Sequence, residues 1–198
     1  LEWASPSRRG GLLLLALASV LGGSLAAPAE AKVFLSRKEA LAWAFPDAEV
    51  GERITVLTSE QASAVETLAR APLESKIVKL YTAREDDAVV GYAFIDIHTV
   101  RTQPEAFLVV LTPEGSVRSL RVLAFYEPEE YLPPGRWLEQ FDAARLGRDL
   151  RVGGAIHGIA GATLSARAVS AGVRRSLALW QVLVGRADAP ATEREDDD

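Results

Sequence analysis

The stretch from Lys76 to Tyr126 constrains the fold more than any other. "KIVKLYTA" and "AVVGYAFIDIHTV" flank the charged turn "REDD". "AFLVVLT" follows, then the turn "PEG", then "SVRSLRVLAFY". Short apolar segments with turn residues between them pair each with the next, which predicts a β-meander and an antiparallel sheet. A further strand is expected in "ERITVLT", residues 52–58. There is no βαβ alternation and no internal repeat.

Helices are expected on both sides of the meander. Ser36 and Glu39 form a capping box ahead of "RKEALAWAF", which Pro46 ends. Thr58 and Gln61 form a second box, with Ala62, Val65, Leu68 and Ala69 at helical spacing up to about Arg70. "GRWLEQFDAARL" reads as a short helix with Trp137, Leu138 and Phe141 on one face. The last helix is expected from about Thr163 to Val184, burying Val169, Val173, Leu177, Trp180 and Val184, with Gly185 as its stop. The predicted class is α+β: an antiparallel meander sheet with flanking helices packed on one face or end, and a long C-terminal helix after the Gly-Ala-Thr turn.

The two ends of the chain read differently from its body. "SRRGGLLLLALASVLGG" followed by "SLAAPAEA" has the charged, apolar and small-residue regions of a secretory signal over residues 1–31. An uncleaved membrane anchor is the alternative. The domain is expected over residues 32–186, at a periplasmic or extracytoplasmic location. Residues 187–198, "ADAPATEREDDD", hold six acids and one base, and read as a disordered acidic tail. They account for the whole net charge of −5, so the body is close to neutral and offers no basic field for nucleic acid. With no cysteine, there is no disulfide framework and no thiolate nucleophile or metal site. Any redox chemistry must come from a cofactor.

The usual catalytic patterns are thin. His98 and Asp96, two residues apart on one strand, share a face. They read as a satisfied or exposed strand pair rather than a metal site. No GxGxxG, P-loop, HExxH or GxSxG pattern occurs. Glu127, Glu129 and Glu130 read as an acidic loop among prolines. That leaves "HGIAGATLSARAV", where glycines meet a helix N-terminus. Unpaired N–H groups and a partial positive charge there attract a phosphate. The Thr163 hydroxyl can be an ordinary cap, bonded to an N–H two or three residues on, or it can carry a phosphodiester.

"GIAGATLSARAV" resembles the (S/T)GAT motif of the FMN-binding domain family, which includes FMN-carrying subunits of the sodium-translocating NADH:quinone oxidoreductase and of the Rnf complex. In that family the threonine is esterified to the FMN phosphate by a separate flavin transferase that uses FAD. Ala160 stands where the family has Ser or Thr, and His157 where an aspartate is common. "VLAFYEPEEY" resembles the strand and glutamate loop beside the flavin, and "RWLEQFDAARLG" the helix that follows it. The resemblance covers about residues 76–184.

The resemblance implies FMN attached through its phosphate to Thr163, with Gly161, Ala162, Leu164 and Ser165 around it and Glu127, Pro128 and Glu129 near the cofactor. His157 would hydrogen-bond the phosphate or a flavin oxygen, or be a plain turn residue. Arg167, one turn on, would reach the phosphate or ring, with Arg174 and Arg175 solvated. Tyr126, Tyr131 and Trp137 are candidates for the ring's walls, with core packing as their alternative, and as the favoured one for Trp137. The implied role is electron transfer between membrane or periplasmic redox proteins, rather than stand-alone oxidoreductase turnover. A non-redox sensor module and a flavin-dependent reductase of a small substrate are the alternatives.

Overall fold

A computed structural model of the chain describes residues 32–185. The expected signal at 1–31 and the acidic tail at 187–198 lie outside the described residues.

Both capping boxes form. Helix α1, Arg37–Ala44, starts where Ser36 Oγ accepts from the Glu39 N–H at 3.3 Å and the Glu39 carboxylate accepts from the Ser36 N–H at 2.8 Å. Helix α2, Ser59–Ala69, starts with the same exchange between Thr58 and Gln61, at 3.1 and 3.0 Å. Two otherwise orphaned donors are satisfied in each case. Arg70 then turns into the left-handed region at φ 51° and ends α2.

Six strands form one antiparallel sheet: β1 Lys32–Val33, β2 Glu49–Val56, β3 Ile77–Glu85, β4 Ala88–Thr99, β5 Pro104–Leu111 and β6 Val117–Phe125. The order is β1-β6-β5-β4-β3-β2, so β3 to β6 are the expected meander, the further strand β2 pairs beside β3 across α2, and β1 adds beside β6 through Lys32↔Phe125 and Val33↔Ala124. β2 begins three residues earlier than its apolar pattern suggests, because Glu49–Gly51 pair with Thr82–Arg84. The fold is α+β, as the sequence predicts.

The helices do not share one side of the sheet. Ala62, Val65 and Ala69 of α2 pack with Leu80, Phe94, Phe107, Val109 and Leu111 on one face. Ala40, Ala44 and Phe45 at α1 pack with Tyr81, Ala83, Ala93, Leu108 and Val110 on the other. This explains the unbroken apolar run "AFLVVL" in β5. A strand covered on both faces needs apolar side chains at odd and even positions alike. Each such side chain, fully buried, contributes about 1.5–3 kcal/mol.

The predicted helix at 135–146 is shorter in fact. Helix α3 is one turn, Gly135–Leu138, followed by a 3-10 turn at Glu139–Phe141. Trp137, Leu138 and Phe141 are buried as expected. Helix α4 runs Thr163–Trp180 and continues as a π-helical turn through Gln181–Gly185. Val169, Val173, Leu177 and Val184 are buried, with Trp180 half-buried beside them. α4 lies on the α2 face of the sheet. Among the described residues, no helix is long and apolar enough to cross a membrane.

Candidate functional site

Gly161 has φ +79°, a left-handed conformation that other residues adopt only under strain. A Cβ there would meet no atom within 4 Å, so the backbone angle, not space, calls for glycine. Buried Ala162 follows at the N-cap, its N–H bonded to the Ile159 carbonyl at 3.1 Å. Thr163 is the first helical residue. No side chain caps α4, so the cap reading of Thr163 does not hold. A hydroxyl at the first helical position lies too far along to take the N-cap bond. The Thr163, Leu164 and Ser165 N–H groups precede the first intrahelical bond, Ala166 N–H to Ala162 carbonyl, and have no partner within the helix.

Thr163 is exposed and borders a cavity of about 240 Å³. Gly161, Ala162, Leu164 and Ser165 line it from the same turn. Across from them stand Val100 and Arg101 of the β4–β5 loop, Glu127, and Tyr131 of a 3-10 turn at Glu129–Tyr131. The sequence reading did not single out Val100 or Arg101. Their signal is weak, a lone arginine in the turn "VRTQP".

Glu127 is buried, and its Oε1 accepts from the N–H groups of Arg101, Thr102 and Gln103 at 3.1, 2.7 and 2.9 Å. Burial alone would raise its pKa. The three N–H donors, helped by the Arg101 charge, outweigh burial and hold the carboxyl below its ordinary range. Glu127 thus stays ionised and shapes the loop. Its charge is spent on backbone donors.

The other expected residues are spread more widely. Pro128 and Glu129 do not line the cavity, and Glu129 pairs with Lys32 at 3.0 Å on the surface. His157 is an exposed turn residue whose N–H donates to Gln140 Oε1 and whose carbonyl accepts from Trp137 Nε1, both at 2.8 Å. Its main chain is held by the Gln140 and Trp137 side chains, and its imidazole has no part in these bonds. Trp137 is core, edge-on to Phe141 at 5.5 Å between ring centroids. Arg167 lines a separate cleft. Tyr126 borders a different cavity of about 610 Å³ where β3 and β4 part. Those strands pair only from Tyr81↔Ala93 to Glu85↔Ala88.

Arg174 and Arg175 are not solvated. Both are buried in the α4 interface. Arg174 donates to the carbonyls of Leu68, Ala69, Gly147 and Leu150. Arg175 reaches the Asp96 carboxylate through Nε and Nη2. Asp96 Oδ1 also lies 2.7 Å from His98 Nδ1, and His98 Nε2 lies 3.5 Å from Glu105 Oε2, near enough for an ion pair but without hydrogen-bond alignment. His98 and Glu105 are cross-strand partners. Burial pulls the His98 pKa down, but Asp96 and Glu105 outweigh it and push it up to about 9. Asp96 is held below its ordinary value, since bonds from His98 and Arg175 outweigh its desolvation. The sequence offered half of this cluster, the Asp96–His98 spacing. The other half lies across the sheet and on a distant helix.

Protein-family models, curated proteins and solved structures were all compared with the chain, and none matches it.

Proposed function

We propose that the chain is an exported flavoprotein that passes electrons between membrane or extracytoplasmic redox partners, with FMN attached through its phosphate to Thr163. One observation carries this reading: an exposed hydroxyl, engaged in no cap, at the first residue of an uncapped 18-residue helix on the rim of a cavity. The residues present fit the anionic oxygen of a phosphodiester. The Thr163 to Ser165 N–H groups lack intrahelical partners, the helix dipole favours an anion, and Gly161 lets the backbone approach. When bound, FMN would supply the one- and two-electron chemistry that the cysteine-free chain lacks.

The chain's own contribution would be placement. Glu127 fixes the loop that carries Arg101, and Arg101 and Tyr131 face the threonine across the cavity. At about 240 Å³ the cavity is smaller than those of ~300–1,000 Å³ that enclose drug-sized ligands. Partial enclosure suits a carrier that must meet redox partners. Attachment would form a Thr163 Oγ–phosphorus bond while the pyrophosphate linkage of FAD breaks, AMP leaves and the hydroxyl proton passes to solvent. A flavin transferase is therefore the first partner.

The test is intact mass after co-expression of the exported protein with a flavin transferase. The expected result is a gain of one FMN less one water in the wild type and none in Thr163→Ala. No adduct on the wild type, or an undiminished adduct on the variant, overturns the assignment of Thr163. The larger cavity between β3 and β4 supports a second reading, a ligand-binding module without redox function. A purified protein without a flavin spectrum would favour it.

A further inference from the structure

Five arginines converge on a cleft of about 190 Å³ beside α4. Arg167 and Arg174 lie on one helix face with Ser170 and Ala171 between them, as spacings of three, four and seven require. Arg70 enters from the end of α2, and Arg148 and Arg151 from the loop before α4. Among the described residues, no acidic side chain lines the cleft. Among the described residues, Arg70, Arg148, Arg151 and Arg167 form no salt bridge.

Part of this charge has a structural role. Arg174 bonds the final carbonyls of α2, where the helix dipole is negative, and Arg70 sits at the same helix end. That accounts for two of the five. The dipole does not call for Arg148, Arg151 or Arg167 on the same space. Like charges gathered without counter-charges repel one another. The pKa of Arg174 reflects this: burial lowers it, and the Arg70 and Arg151 charges lower it further.

We infer that this cleft is an anion site for a ligand carrying two or more adjacent phosphates. Guanidinium groups hold phosphate oxygens bidentately, and four of the five keep their donors for a ligand while Arg174 spends its own on carbonyls. Among the described residues no aromatic ring lines the cleft, so recognition falls on the phosphates and not on a stacked base. The site is independent of the Thr163 cavity, with which it shares no lining residue.

Titration calorimetry of the full chain with inorganic pyrophosphate tests this. The expected result is saturable one-to-one binding that weakens with salt. It should fall at least about tenfold in Arg151→Ala/Arg167→Ala, and be unchanged in Thr163→Ala. Arg148→Gln gives a second reading on a loop position, and circular dichroism checks folding of each variant. A parallel arm uses vesicles containing cardiolipin, whose headgroup carries two phosphates. Binding to vesicles alone, lost in the double variant, assigns the phosphates to lipid headgroups. Binding of neither probe, or binding indifferent to the arginine variants, overturns the site. Loss of the FMN adduct with retained pyrophosphate binding would leave this inference standing while removing the other.

Discussion

Arg175 grips Asp96 with two hydrogen bonds, Nε to Oδ2 at 2.9 Å and Nη2 to Oδ1 at 2.7 Å, joining α4 to the middle of the sheet. Both side chains are almost wholly buried. Removing one partner of such a pair leaves a charge without compensation. Asp96→Asn should lower stability by about 3–5 kcal/mol, read by urea unfolding. Arg175→Lys keeps the charge but cannot form the two-pronged bond, and should fall between wild type and Asp96→Asn.

His98 makes stability fall on the alkaline side. Its pKa is raised from 6.5 to about 9 by Asp96 and Glu105, against the pull of burial. A raised pKa means that the folded state holds the proton more tightly. The stabilisation is complete below about pH 6.5 and is lost as pH rises through about 9. Urea unfolding from pH 6 to pH 10 should show this decline, and His98→Gln should flatten it. An imidazole titrating near its ordinary value by NMR would refute the assignment.

Gly172→Ala should destabilise the protein although alanine is the better helix former. A Cβ at Gly172 would stand 2.6 Å from the Phe107 ring and 2.7 Å from Asp96 Oδ1. Alanine gains about 1 kcal/mol in helix propensity. Overpacking costs about 1–3 kcal/mol, and here it also displaces a carboxylate already committed to Arg175. The expected outcome is a net loss in thermal unfolding, together with a changed chemical shift for His98.

Glu127 holds the loop that faces Thr163. Glu127→Ala removes the acceptor for three N–H groups, so amide exchange at Arg101, Thr102 and Gln103 should accelerate by at least about tenfold. The depressed pKa of Glu127 sets the sign with pH. Its contribution is present above the ordinary glutamate range and is lost as pH falls through the lowered value. The wild-type loop should therefore loosen in acid, and the alanine variant should show no such acid dependence.

Local chemistry was readable in the sequence, and distant chemistry was not. Ser36 with Glu39 and Thr58 with Gln61 are complete within four residues, so their helices could be read directly. The meander was equally plain, because each strand pairs with its neighbour. β1 escaped notice because a two-residue strand has no period. Glu105 lies just outside the apolar segment that marks β5, and only the register opposite His98 reveals its burial. Arg174 and Arg175 looked like a polar helix face. Their partners are Asp96 and carbonyls of other segments, which no helical spacing encodes. At the candidate site, the Gly161–Thr163 turn and Glu127 were legible, while Val100 and Arg101 arrive from a loop some 60 residues earlier.

Arg174 has a consequence for how the molecule comes apart. One guanidinium bridges the end of α2, the chain at Gly147 and Leu150, and the middle of α4. The loop that delivers the chain to Gly161 therefore cannot open alone without uncovering a buried charge. These three segments should open together as a single cooperative unit, and the turn bearing Thr163 is anchored beside it.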